Sequence, residues 1–239
     1  MLRRMDGLQF FDRRQDFTVA WKTLPHWAQA GTVTFITWRT ADSLSAAALE
    51  RITRERAELL ERFGVEAGGD SKDASFGETR PRRQVSPKLA APLAKLAPAD
   101  RARLNWELFH SWDRQLDLGA GEGVLMRPEL SAIVEASLRH FDGERYVLTD
   151  AVVMPNHVHV LVAFADADAL LAQVASWKRF TSRQIQRALG RRGEFWQSEQ
   201  FDHLVRSPEH FEHLRRYVAE NPKKAGLKES CFRWYSKAL

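Results

Sequence analysis

Cysteine is nearly absent from this sequence, since Cys231 is the single example among 239 residues. A lone thiol excludes an intramolecular disulfide framework and a zinc site built from several cysteines. Long apolar runs are missing too, because no stretch of about 18 consecutive apolar residues occurs in the chain. The first residues also lack the continuous apolar segment of a secretory signal. We therefore expect no membrane segment and a cytoplasmic location.

The composition favours a folded domain with a slight preference for polyanions. Hydrophobic residues make up 44% of the chain, enough to build a core and to exclude wholesale disorder. Lysine and arginine number 36 against 31 acidic residues, a formal charge of +5, which favours a nucleic-acid partner only weakly. We predict one domain over residues 1–239 with an insertion at about 66–105, because 68–88 is polar, rich in glycine and proline, and aperiodic.

The remaining segments predict alternating strands and helices. Strands are predicted at 31–39, 146–154, 157–164 and 201–205. Helices are predicted after Ser43 or Ser45, around 99–112, over 128–141, from the turn at 166–168 to Gly190, and from Ser207-Pro208 to near Asn221. The order β-α-(insertion)-α-β-β-α-β-α is close to a ferredoxin-like layout. We expect an α+β fold, with an antiparallel sheet and helices mainly on one face.

The segment MPNHVHVLVAF places two histidines on one side of a strand. Because side chains alternate, His157 and His159 share one face while the valines share the other. The two histidines lie about 6.6 Å apart along the strand, so their imidazoles can converge on one divalent cation. The alternative is two polar residues on a solvated sheet face. The Pro155 turn and the apolar valine face fix the strand's start and register, which favours the metal site.

Histidine-triad nucleotide hydrolases also alternate histidines along a strand, and the third histidine is their nucleophile. Leu161 occupies that third position in this chain. Without a nucleophile there, the covalent chemistry of that class is excluded.

The last predicted helix carries a phenol beside an amide. Tyr217 and Asn221 are separated by four residues, so they are neighbours on one surface at the edge of the apolar stripe. An amphipathic tyrosine at the rim of the core is the alternative. The other two tyrosines lie at a strand start (Tyr146) and in the C-terminal tail (Tyr235), so Tyr217 is best placed for chemistry.

These residues together suggest a reaction. A phenol with a pKa near 10 is a poor nucleophile at neutral pH and needs activation. A divalent metal bound by two imidazoles and an amide oxygen could polarise a scissile phosphate. The combination fits phosphodiester transesterification.

The long helix before Gly190 has a basic outer face, formed by Lys178, Arg179, Arg183 and Arg187. It is either a solvated helix face or a surface that contacts DNA phosphates. Trp196 is our candidate for stacking on an unpaired base, and Gln197 beside it is a further candidate for DNA contact. For Trp177, on the same amphipathic helix, a core position is at least as well supported.

The motifs resemble those of one family. His157-Val158-His159 after Met154-Pro155-Asn156 resembles the HUH motif of single-tyrosine transposases. SWKRFTSRQI, FWQSEQFDHLVR and YVAENPKKAGL resemble the REP-associated tyrosine transposases in order and spacing, closely over 125–228 and loosely over 24–38. The insertion at about 66–105 departs from the shortest members of that family, and no pattern in it indicates a role.

The resemblance implies a function and the residues that perform it. His157 and His159 bind a catalytic Mg²⁺ or Mn²⁺, Asn221 stands where relatives place a further ligand, and Tyr217 forms a 5′-phosphotyrosine link. The implied substrate is single-stranded DNA with a REP-like hairpin, cut by a monomer or homodimer. The alternative is a domesticated, sequence-specific DNA-binding protein whose cleavage is vestigial.

Overall fold

The computed structural model describes residues 8–12, 14–16, 18–21, 25–65, 96–117, 120–198 and 200–238. Most of the predicted insertion at about 66–105 therefore lies outside the described residues. Its last part belongs to a helix that begins at Pro98. No helix in the described ranges has the length and apolar character needed to cross a membrane.

Seven strands and five α-helices make up the described chain. The strands are β1 (Thr18–Trp21), β2 (Pro25–Ala28), β3 (Val33–Arg39), β4 (Tyr146–Val153), β5 (His157–Phe164), β6 (Phe201–Leu204) and β7 (Arg233–Ser236). The helices are α1 (Ala46–Arg62), α2 (Pro98–Asp117), α3 (Pro128–Arg139), α4 (Ala167–Leu189) and α5 (Pro208–Lys224). Short 3₁₀ turns span Val124–Met126 and Glu229–Cys231.

Local capping explains where the helices begin and end. The side chains of Ser45, Asp166 and Ser207 accept backbone N–H bonds at the starts of α1, α4 and α5. Helix α4 ends at Gly190, whose φ of 64° suits a residue without a side chain. The predicted limits of α4 are therefore confirmed. Helix α5 extends past its predicted end near Asn221 to Lys224, with Pro222 inside it.

Five strands form one antiparallel sheet in the order β6-β3-β5-β4-β7. The predicted α+β class and antiparallel sheet are confirmed. Three short strands were not predicted: β1 and β2, which form a separate two-stranded sheet, and β7, at the sheet edge. Each is only four residues long, so hydrophobic alternation is too brief to reveal it.

Helices lie on both faces of this sheet, whereas we expected them mainly on one. Val158, Val160 and Val162 point toward α3 and α4, where they join Trp177 in the larger core cluster. Leu161 and Ala163, like Val33 and Phe35 of β3, belong to the cluster packed by α5. We call these sides the α4 face and the α5 face. The two histidines of β5 lie on the α5 face.

Candidate metal and tyrosine site

His157 and His159 lie side by side beneath α5. They are 1% and 0% exposed, and their ring centroids are 4.7 Å apart. The alternative of a solvated face is therefore wrong for this pair. The predicted shared face is confirmed, because Val158 between them packs in the opposite cluster.

The hydrogen bonds of His157 fix which of its nitrogens carries a lone pair. The Asn156 amide nitrogen donates to the Ala120 carbonyl at 3.1 Å, so the Asn156 oxygen is its acceptor end. That oxygen lies 2.7 Å from Nδ1 of His157, which must therefore be the donor. The remaining nitrogen, Nε2, is buried and has no hydrogen-bond partner among the described residues. A lone pair held in this way suits a metal ligand.

His159 is held by the neighbouring strand. Its Nδ1 is 2.7 Å from the hydroxyl of Thr37, its partner in the β3–β5 register.

Burial lowers the pKa of His157 to about 3. Burial, with the nearby charge of His157, also holds the pKa of His159 well below its ordinary value. Both imidazoles are therefore neutral at pH 7, the form that binds metals.

Asp113 of α2 joins this pair and was not predicted from the sequence. It is 4% exposed, and one ligand atom from each of Asp113, His157 and His159 lies within 4.8 Å of the others. Oδ1 of Asp113 is 3.4 Å from Nε2 of His159. The predicted helix stopped at 112, and a single aspartate in a helix has no distinguishing pattern. Its role becomes visible only when α2 is packed against the sheet.

Tyr217 of α5 meets the same cluster. Its hydroxyl donates a hydrogen bond to Oδ2 of Asp113. Its ring lies edge-on to His159, with centroids 5.6 Å apart. The other tyrosines are placed elsewhere: the Tyr146 hydroxyl donates to the Leu138 carbonyl at 2.7 Å, and Tyr235 lies under the guanidinium of Arg139.

Asn221, one helical turn after Tyr217, is 1% exposed. Neither its amide oxygen nor its amide nitrogen has a hydrogen-bond partner in the described ranges. A buried amide without a hydrogen-bond partner destabilises the fold, and such groups commonly bind a water molecule or an ion. The group formed by Asp113, His157 and His159, with the orphaned Nε2 of His157, thus fits a site for a divalent cation. The unpartnered Asn221 amide lies one helical turn after Tyr217, whose hydroxyl contacts Asp113.

The site is closed in this conformation. Tyr217 is only 7% exposed, and α2 lies against it through Asp113 and through the rings of Trp106 and His110. A phosphodiester can reach the phenol only if a covering element such as α2 moves.

The predicted DNA-contacting residues separate into exposed and buried groups. Arg179, Arg183 and Arg187 are exposed on α4, and the Lys178 ammonium donates to the Ser198 carbonyl at 2.9 Å. Trp196 is 5% exposed, and its indole N–H donates to Thr181 at 2.8 Å.

The stacking role expected of Trp196 is therefore wrong for this conformation, because its ring belongs to the core of the α4 face. Trp177 is also buried there. Gln197 is half-buried, and its amide donates to the Ala41 carbonyl at 2.9 Å. Both tryptophan rings are therefore part of the core, whereas DNA contact by the half-buried Gln197 stays a prediction.

Comparison with known proteins gives a distant structural similarity. No family model matches the chain, and no curated protein matches it. Among solved structures, the chain is similar to one described as a REP-associated tyrosine transposase bound to a REP hairpin. The two are 15% identical, the match covers 85% of this chain and 74% of the other, and the TM-score is 0.38. A similarity at this level leaves the function to be argued from the site.

Proposed function

We propose that this protein is a metal-dependent enzyme that cuts and rejoins single-stranded DNA near hairpins, with Tyr217 as its nucleophile. The observation that carries the proposal is the meeting of Tyr217, Asp113 and the His157–His159 pair in one buried cluster. Tyr217 and Asp113 are 104 residues apart in the chain, so no local structural need explains their contact. A nucleophile beside candidate metal ligands is the arrangement that phosphoryl transfer to a tyrosine requires.

The cation would be held by His157, His159, Asp113 and the amide oxygen of Asn221. Imidazole, carboxylate and amide ligands together suit Mn²⁺, and the oxygen ligands suit Mg²⁺. When bound, the ion polarises a phosphate oxygen and stabilises negative charge on the reacting phosphoryl group. The support from this chain is the orphaned Nε2 of His157 and the orphaned amide of Asn221.

The reaction would exchange one phosphodiester bond for another. The Tyr217 phenol oxygen bonds to phosphorus, and the bond from phosphorus to the 3′ oxygen breaks. The phenol loses a proton and the departing 3′ oxygen gains one, leaving a 5′-phosphotyrosine and a free 3′-hydroxyl. Oδ2 of Asp113 already accepts the phenol's hydrogen bond, so it is the atom best placed to take that proton.

The DNA partner is supported by charge and by the motif resemblance. The exposed arginines of α4 suit a phosphate backbone. The HUH strand and the YVAENPKKAGL helix resemble transposases that act on hairpin-bearing single strands.

A second candidate function is a DNA-binding protein with no cleavage activity. The closed site favours it, because a nucleophile that is 7% exposed cannot meet a substrate without a conformational change. Both candidates bind hairpins, and only the enzyme requires Tyr217 and a metal.

A covalent-adduct assay separates the two. The protein is incubated with single-stranded DNA containing the hairpins that flank its own gene, with Mn²⁺ or with EDTA, and resolved on a denaturing gel. The enzyme gives a metal-dependent adduct that Tyr217→Phe abolishes, while hairpin binding is retained. Tyr235→Phe, which removes a phenol far from the cluster, is the matched control and should leave the adduct intact.

Two outcomes would contradict the enzyme. Hairpin binding without any adduct would favour the second candidate. An adduct at wild-type level in Tyr217→Phe would reject this residue as the nucleophile.

A further inference from the structure

Helix α4 exposes a large aromatic side chain. Phe180 is 46% exposed, and only Met126 and Trp234 among the described large hydrophobics are exposed to a similar degree. A single exposed hydrophobic residue is common and needs no special explanation. Its surroundings therefore decide whether Phe180 has a role.

Unpaired arginines surround Phe180. Arg179 is adjacent to it in the chain, and Arg183 and Arg187 follow at three- and four-residue steps, which places them along the same side of α4. None of the three forms an ion pair with another described residue. The chain has no acidic residue between Asp168 and Glu194. The surface around the ring thus carries positive charge that no described residue pairs.

Trp234, the other large aromatic exposed in the described ranges, shows the contrast. Trp234 follows Arg233, whose guanidinium is 3.2 Å from a carboxylate oxygen of Glu135. Arg191, just beyond α4, is likewise paired with Glu122 at 2.8 Å. A carboxylate offsets the charge of each of these two arginines, whereas the arginines beside Phe180 have no such partner among the described residues.

We propose that Phe180 is a base-stacking residue of a single-stranded nucleic-acid interface formed with Arg179, Arg183 and Arg187. This inference rests on the proposed function. It assigns to Phe180 the stacking role that was expected of Trp196, whose ring is buried. Every base has a flat face that an exposed ring can stack on, and guanidinium groups hold the phosphates on either side. A duplex keeps its base faces covered, so this combination fits unpaired nucleotides.

The interface lies on the opposite side of the sheet from the chemistry. Helix α4 covers the α4 face, whereas His157, His159 and Tyr217 lie on the α5 face. A strand anchored at Phe180 must therefore pass around the sheet edge to reach the metal cluster. Mutations at Phe180 should accordingly weaken DNA binding without altering the residues that cut the DNA.

The test measures binding of a fluorescent oligothymidine by anisotropy at fixed salt. Phe180→Ala should bind about 5- to 150-fold more weakly, the factor that corresponds to losing one base stack. Phe180→Trp should restore binding to the wild-type level or above, and Trp234→Ala should bind like the wild type. The slope of affinity against salt should stay the same in Phe180→Ala and become shallower in Arg183→Ala/Arg187→Ala.

The outcomes distinguish this inference from the proposed function. Wild-type affinity in Phe180→Ala, while the wild type itself binds, would overturn the stacking role alone. A loss that Phe180→Trp does not restore, or an equal loss on a blunt duplex, would also overturn it. A change of sedimentation coefficient in Phe180→Ala with unchanged DNA binding would assign the ring to a protein contact instead. A wild-type protein that binds no nucleic acid would overturn both proposals.

Discussion

The two faces of the central sheet bury very different chemistry. On the α4 face, Trp38 and Trp177 stack at 6.0 Å, and the indole N–H groups of Trp177 and Trp196 donate to the hydroxyls of Tyr146 and Thr181. The α5 face buries an aspartate, two histidines and an asparagine beside apolar residues. Of these, Nε2 of His157 and the amide of Asn221 have no hydrogen-bond partner among the described residues. On the α4 face Nε1 of Trp38 is also unpartnered, but an indole N–H is a donor only and cannot bind a cation.

This difference indicates a division of roles. A packed apolar cluster stabilises a fold, whereas unsatisfied buried polar groups destabilise it and persist where function requires them. We therefore expect mutations in the apolar core of the α4 face to act on stability, and mutations of the cluster formed by Asp113, His157 and His159 on the α5 face to act on metal binding and cleavage.

The largest effect is expected from His157→Ala. It removes Nε2, which has no hydrogen-bond partner among the described residues and is the proposed metal ligand, so cleavage should be lost. Mutation of a residue that only hydrogen-bonds to a metal ligand commonly lowers metal affinity about 10–100-fold. Loss of a ligand itself should therefore lower Mn²⁺ affinity by at least about 100-fold. Calorimetric titration with Mn²⁺ measures this, and His140→Ala, an exposed histidine, is the control. Unchanged affinity in His157→Ala would remove this residue from the metal site.

Trp177→Ala tests the opposite face. The side chain is 2% exposed in the core, so its truncation should lower the free energy of unfolding by about 3–5 kcal/mol. The fraction that remains folded should bind Mn²⁺ with wild-type affinity. Urea unfolding and calorimetry measure the two quantities. A loss of Mn²⁺ affinity in folded protein would mean that the faces are coupled and the division is wrong.

Asn221→Leu should act in opposite directions on stability and on metal binding. It removes two unsatisfied polar atoms at similar volume, so without metal the free energy of unfolding should rise by about 1–3 kcal/mol. Stabilisation by added Mn²⁺ should shrink. Asn156→Leu is the matched control, because both ends of the Asn156 amide are hydrogen-bonded and its loss should destabilise the fold. Destabilisation by Asn221→Leu in EDTA would show that its amide is satisfied.

Acid should destabilise the α5 face gradually, and His203 should account for part of this loss. Burial lowers the pKa of His203 to about 3, whereas an unfolded histidine titrates near 6.5. Between these values the unfolded chain binds a proton that the folded chain does not. The stability contributed by neutral His203 is therefore complete above about pH 6.5. It is lost at up to about 1.4 kcal/mol per pH unit as the pH falls below that value.

Urea unfolding at pH 7, 5.5 and 4.5 measures this slope. His203→Gln should make it shallower, and the exposed His140→Gln should leave it unchanged. An identical slope in His203→Gln and the wild type would contradict a neutral, buried His203.

Most of the architecture follows from local patterns. The limits of β5 match the prediction because hydrophobic alternation and the Pro155 turn define them, and the start of α5 follows from Ser207-Pro208. Strand β7 has no comparable pattern, since pairing with β4 rather than intrinsic preference makes Arg233–Ser236 a strand.

The site was only partly predictable. His157, His159 and Tyr217 stand in periodic segments, so their faces can be assigned from spacing. Asp113 depends on how α2 docks, which is a tertiary property with no local pattern. Trp196 was misjudged for a related reason. Its place between a predicted helix and a predicted strand indicates a loop, but the sequence does not tell whether a loop tryptophan points outward or into the core.

The central claim is that Tyr217 attacks a phosphate at the cluster of His157, His159 and Asp113. The most direct test is mass spectrometry of tryptic peptides from protein incubated with single-stranded hairpin DNA and Mn²⁺. The account predicts a nucleotide joined through its 5′-phosphate to Tyr217, in the peptide spanning residues 217–223. A nucleotide on Tyr146 or Tyr235, or a link through a 3′-phosphate, would contradict it.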